Sequence, residues 1–194
     1  MDEILIASKN KGKLHEYAKM LEGNGLKLRS LFDFPEMNEI EETGLTFEEN
    51  ALIKAKFLHD ITRLPVIADD SGLMVEALNG EPGIHSKRYS LSGTDEDNNA
   101  LLIKNLQGEL NRKAVFVAVI AYYESELVHL TFRGETEGVI IDEGRKGQGF
   151  GYDPHFLIPS INKTLSQLST DEKNQVSHRG KAFRLFQEYW RSKS

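Results

Sequence analysis

Residues 4–21 read ILIASKNKGKLHEYAKML. The opening run Ile4, Leu5, Ile6 and Ala7 has the uninterrupted apolar character of a buried strand, and Leu14, Tyr17, Ala18 and Leu21 mark one face of a following helix. A strand, a polar loop and a helix therefore succeed one another within some twenty residues. Further on, Thr46 and Glu49 have capping-box spacing, and Phe47, Ala51, Ala55 and Leu58 recur at helical intervals, predicting a helix that ends near Asp60. Residues 66–68 form a short apolar strand running into Asp69, Asp70, Ser71 and Gly72, with residues 73–75 continuing beyond. A helix is expected from Thr94, with Leu102, Ile103, Leu106 and Leu110 as its apolar face. Residues 114–123 and 127–132 read as a hairpin, 139–141 as a third strand, 156–158 as another, and residues 169–190 as mainly helical. Helices interleaved with local and distant strands predict an α/β domain on a mixed sheet.

The chain has 194 residues, enough to bury a core without covalent staples, and no repeat, linker or low-complexity tract divides it, so one domain over residues 1–194 is expected. It has no cysteine, which excludes a thiol nucleophile, thiolate zinc sites and a disulfide framework. The first residues lack a basic flank and no stretch approaches a membrane span, so a cytoplasmic protein without membrane partners is expected. A net charge of −6 argues against a general nucleic-acid binder, which would present a broad basic face. Any phosphate site must be local.

Five constellations could carry chemistry. Ser8, Lys9, Asn10, Lys11, Gly12 and Lys13 sit at the start of the first helix, where free N–H groups and lysines suit an anion, though an ordinary exposed turn fits equally. It is not a Walker A loop, since Ala7 and Leu14 stand where that motif needs Gly and Ser or Thr. Lys54 falls on the apolar face of its helix, either snorkelling to water or aimed into a polar cleft. Glu39, Glu41 and Glu42, with Asp69 and Asp70, offer the one or two carboxylates that Mg²⁺ takes, against the reading of an acidic loop and a turn. Neighbouring strand residues face opposite ways, so at most one of Asp69 and Asp70 is expected to ligate. Phe150, Gly151, Tyr152 and Asp153, within the glycine-rich run 147–151 and its sequel, could let a purine stack, or simply form a turn with buried aromatics. Lys173, Ser177, His178 and Arg179 form the last group, in which Arg179 could donate to a purine oxygen or serve only the fold.

Taken together and in this order, residues 8–13, the run Glu41-Glu42-Thr43-Gly44 with Phe47, Glu49, Asn50, Ala51 and Lys54, residues 69–73, Pro82-Gly83 with Arg88-Tyr89, residues 149–154, and Lys173 with residues 177–180 resemble the inosine/xanthosine triphosphate pyrophosphatase family. The resemblance covers nearly the whole chain. It implies an elongated mixed sheet with flanking helices in two lobes around a central substrate cleft, usually in a homodimer. It also implies hydrolysis of ITP, dITP and XTP to the monophosphate and pyrophosphate, with Mg²⁺ held by Glu41 and Asp70, and Asp70 as general base. By the same resemblance Ser8, Lys9, Asn10, Lys11, Gly12, Lys13 and Lys54 would meet the triphosphate. Ser71 would touch the substrate, Phe150, Gly151, Tyr152 and Asp153 would enclose the base, and Lys173, His178 and Arg179 would complete the pocket. Ser8 stands where threonine is common and Gln148 where glycine is usual. The alternatives are a Maf-type pyrophosphatase for modified or pyrimidine nucleotides and a nucleotide sensor without chemistry; Glu41, Asp70 and the lysines argue against the second.

Overall fold

The computed structural model describes residues 3–22, 26–34, 36 and 40–193. In chain order these form β1 (Glu3–Ile6), α1 (Lys11–Leu21), β2 (Lys27–Ser30), α2 (Phe47–Thr62), β3 (Val66–Val75), α3 (Asp95–Asn105), β4 (Lys113–Ser125), β5 (Val128–Ile140), β6 (Phe156–Ile158), β7 (Lys163–Thr164), α4 (Thr170–Val176) and α5 (His178–Lys193), with short 3₁₀ turns between them. The sheet has the order β2-β1-β3-β4-β5-β6-β7. β1 runs parallel to β2 and β3, while β6 is antiparallel to β5 and β7, so the expected mixed α/β architecture is present.

The chain forms two compact units. The first comprises Met1–Asp70, Ala118–Gly134 and Arg179–Ser194, and the second Ser71–Val117 and Glu135–His178. In the first, Ile4, Ile6 and Ile67 from the sheet pack with Tyr17 and Leu21 of α1 and with Ala182, Phe183 and Phe186 of α5. In the second, Leu73, Val75 and Phe116 pack with Leu102 and Leu106, with Tyr152 and Phe156, and with Leu165 and Leu168. β3 passes from one unit into the other between Asp70 and Ser71.

Local chemistry explains the element boundaries. Asn10 caps α1 by accepting from the Lys13 N–H at 3.1 Å, and Thr46 caps α2 by accepting from the Glu49 N–H at 3.1 Å. α2 ends at Thr62, two residues beyond the expected stop, and the left-handed backbone of Arg63 closes its last turn. Ser177 is extended and separates α4 from α5 within the expected helical tail.

Three expectations change. Asp69, Asp70, Ser71 and Gly72 form no turn, because β3 runs unbroken through them. Residues 139–141 are not a separate strand, because β5 is continuous and its inward positions between the apolar ends are Gly134, Thr136 and Gly138, alternating with exposed Arg133, Glu135 and Glu137. That period-two pattern lacks large apolar residues, since a Cβ on Gly138 would lie 2.6 Å from the Phe156 ring. Leu110 is 98% exposed and lies beyond α3, which ends at Asn105.

Candidate active site

The first unit holds a buried charge cluster built from β3, α1, α2 and the start of α5. Asp69 on β3 is buried, and its carboxylate accepts from Lys13 Nζ at 2.6 Å, Tyr17 Oη at 2.8 Å and Arg179 Nε at 2.6 Å. Arg179 Nη1 donates to Glu16 Oε2 at 2.6 Å, so the guanidinium lies between two carboxylates and is itself buried. Burial would push the Asp69 carboxyl up, but Arg179 and Lys13 beside it hold it well below the usual carboxylate range. Burial likewise lowers Arg179, yet Asp69 and Glu16 outweigh it and fix the positive charge. Burial lowers Lys13, opposed by the Asp69 charge.

The next residue is set up differently. Asp70 Oδ1 lies 3.4 Å from Lys54 Nζ, which also donates to the Asp69 carbonyl at 2.8 Å and to Glu42 Oε1 at 3.0 Å. The buried Asp70 Oδ2 has no hydrogen-bond partner. Burial raises the Asp70 pKa, Lys54 pulls it down, and the neighbouring Glu42 charge raises it again, with a net upward shift. Lys54 thus does not snorkel outward; it bridges Glu42 and Asp70. Alternation along β3 gives the two aspartates separate surroundings, as expected.

The orphaned buried oxygen of Asp70 is the kind of hard donor that Mg²⁺ takes, one carboxylate being enough when water and substrate fill the other positions. Among the described residues no cluster of three or more His, Cys, Asp or Glu could hold a metal by itself. Glu41 is exposed, Glu42 is part-buried and occupied by Lys54, and Glu39 lies outside the described residues. On the loop leading into α1, Ser8 Oγ accepts from the Asn10 N–H at 3.0 Å, Lys9 and Lys11 are exposed, and Gly12 is part-buried. Only Lys13 of the three lysines turns inward to Asp69. Ser71, the first residue of the second unit, is part-buried on β3.

The second unit holds the glycine-rich loop. Asp153 Oδ2 accepts from the Phe150 N–H at 3.0 Å and from the buried Lys173 Nζ at 2.6 Å, and that ammonium stands 4.7 Å from the centre of the Phe150 ring. Gly149 has φ +142°, and a Cβ there would lie 2.6 Å from Asp153 Oδ2, so the carboxylate occupies the space a side chain would need. Tyr152 is buried and donates from Oη to the Ser86 carbonyl at 2.7 Å. Its ring belongs to the core, which leaves Phe150 and Gly151 as the part-buried members of the loop. His178 is buried and stacks on Phe116 with ring centres 4.6 Å apart and planes within 9°.

Of the residues singled out in the sequence, Lys13, Lys54, Glu42 and Arg179 gather around Asp69 and Asp70, and Phe150 and Lys173 around Asp153. Sequence reasoning missed Glu16 and the hydroxyl of Tyr17. Tyr17 reads only as an apolar helix position, and nothing near Glu16 signals an arginine 163 residues away. The Arg179 guanidinium, read as a donor to a purine, is engaged by Asp69 and Glu16.

Residues 4–189 match the Ham1 family. The dITP/XTP pyrophosphatase of Geobacter sulfurreducens is 46% identical over 192 residues, covering 97% of this chain and 96% of that protein. The dITP/XTP pyrophosphatase of Bacillus anthracis is 44% identical over 196 residues, with 97% and 96% covered. Among solved structures, the Staphylococcus aureus Ham1 protein superposes with a TM-score of 0.89 at 39% identity, covering all of both chains. A HAM1 protein from Coxiella burnetii gives 0.89 at 40% identity, covering 99% of this chain and 100% of that one.

Proposed function

Because the chain belongs to the Ham1 family, we propose that it hydrolyses the triphosphates of deaminated purines, ITP, dITP and XTP, to the nucleoside monophosphate and pyrophosphate. The observation that carries the chemistry is Asp70, a buried carboxylate with one oxygen unpaired and an upward-shifted pKa, beside the ammonium of Lys54. A carboxylate whose charge is disfavoured by burial takes a proton more readily, which suits the general base that draws a proton from attacking water. Water attacks the α-phosphorus, its proton passes to Asp70, and the bond to the bridging oxygen breaks to release pyrophosphate. Lys13 and Lys54, with Ser8, Lys9, Asn10, Lys11 and Gly12 at the start of α1, offset the charge on the phosphate oxygens. Asp70 and Glu41 would hold Mg²⁺, with Glu42 retained by Lys54, and the cation would supply further charge neutralisation at the phosphates.

Phe150 offers the face on which a purine stacks, with Gly151, Tyr152 and Asp153 shaping the loop, Lys173 against the Phe150 ring, His178 completing the pocket, and Ser71 next to Asp70 as a substrate contact. Arg179 acts through Asp69 in this reading. The family reading carries a homodimer and a cytoplasmic setting with it; among the described residues no helix is long and apolar enough to cross a membrane. Incubation with ITP and Mg²⁺ tests the assignment: IMP and pyrophosphate are expected in equal amounts, whereas IDP with orthophosphate would refute it.

A further inference from the structure

Both backbone groups of Gly151 are held by side chains from one face of α3. Its N–H donates to Asp95 Oδ2 at 2.7 Å, and its carbonyl accepts from Asn99 Nδ2 at 2.9 Å. Asp95 and Asn99 are four apart on a helix and so lie one above the other. An acidic residue in a first helical turn ordinarily serves its own helix, whose N-cap here is Thr94; Asp95 instead reaches a residue 56 positions away. The Asn99 amide has a defined orientation, because Nδ2 also donates to the Asp95 carbonyl at 2.8 Å and the flipped amide would turn its oxygen toward two carbonyls. Lys87 Nζ, 3.3 Å from Asp95 Oδ1, holds the carboxylate from the other side.

Gly151 joins Phe150 to Tyr152, and Tyr152 is already fixed by its core ring and its bond to Ser86. Pinning Gly151 therefore sets the direction in which Phe150 leaves the anchored part of the loop. We propose that Asp95 and Asn99 are positioning residues for nucleobase binding, fixing Gly151 so that the Phe150 face is held ready for the purine; this rests on the loop being the base platform. Steady-state kinetics on ITP, with melting temperatures, for Asp95→Ala, Asp95→Asn, Asn99→Leu and Phe150→Ala test it. Asp95→Ala and Asn99→Leu should raise KM about tenfold, the worth of one hydrogen bond to or within such a clamp, with kcat within about twofold. Asp95→Asn keeps an acceptor and should restore most of the binding, a rescue that also serves if Asp95→Ala fails to fold. A raised KM in Phe150→Ala with unchanged KM in both clamp variants would overturn the proposal while sparing the base platform. Lowered melting temperatures with unchanged KM would likewise reduce Asp95 and Asn99 to fold support. An unchanged KM in Phe150→Ala would remove the platform and the clamp's role with it.

Discussion

Asp69→Asn and Asp70→Asn make the same chemical change at adjacent positions and should have opposite consequences. Asp69 is buried against Arg179, Lys13 and Tyr17, and Arg179 also faces Glu16. Neutralising Asp69 leaves Arg179 with one carboxylate and turns an amide N–H₂ toward existing donors. Breaking a buried charge pair on one side costs roughly 3–5 kcal/mol. At about 2–4 °C per kcal/mol for a chain of this size, the melting temperature should fall by roughly 6–20 °C. Asp70→Asn removes a charge that the fold disfavours, so without metal its melting temperature should equal or exceed that of the parent, while turnover falls about 10²–10⁴-fold. The pH dependence separates the two further. The Asp69 pKa is depressed in the fold, so its contribution is complete above the unfolded carboxyl pKa, near pH ~4, and is lost as pH falls through the lower folded value. The Asp70 pKa is raised, so the stability advantage of Asp70→Asn should appear as pH rises through ~4 toward the folded value. Differential scanning fluorimetry in EDTA from acid to neutral pH, with pyrophosphate release from ITP in Mg²⁺, reads both. An Asp69→Asn protein melting with the parent, or an Asp70→Asn protein melting as low as Asp69→Asn, would refute the reasoning.

Lys54→Met should leave Glu42 and Asp70 facing each other without a cation and raise the pKa of the Asp70-dependent limb in the pH–rate profile; an unshifted limb would show that Lys54 does not control that carboxylate. Gly149→Ala places a methyl group in the space of Asp153 Oδ2, and a rise in KM for ITP with little change in kcat is expected; wild-type kinetics would show that the loop accommodates it freely. Chelation should abolish turnover, and added Mg²⁺ should raise the melting temperature of the parent more than that of Asp70→Asn. Equal metal-induced shifts would place the cation elsewhere.

The elements with regular apolar spacing were legible in the sequence: β1, α1, α2, the apolar centre of β4 and the helical tail all follow from intervals between large side chains. β2, with the sequence KLRS, carries no apolar run and escaped notice because its pairing with β1, not its composition, makes it a strand. The length of β5 was hidden for the reason given by its inward glycines. The two groups of site residues were visible as types and spacings, whereas their pairing was not. That Asp69 binds Arg179 and Asp70 binds Lys54 follows from strand alternation plus contacts far apart in the chain, and only the alternation is local information.

Asp69 also bears on the order in which the molecule assembles. Its partners Tyr17, Lys13 and Arg179 stand 52, 56 and 110 residues away, so its hydrogen bonds can close only after long stretches of chain have been brought together. The entropy of closing loops of this span is paid before the contacts reward it, and the expectation is that this buried cluster closes only past the rate-limiting barrier. Interactions absent from that barrier are felt almost wholly in how fast the native state opens. Asp69→Asn should thus leave the refolding limb of a chevron plot nearly in place and raise the unfolding limb, shortening the lifetime of the folded enzyme more than it slows its formation.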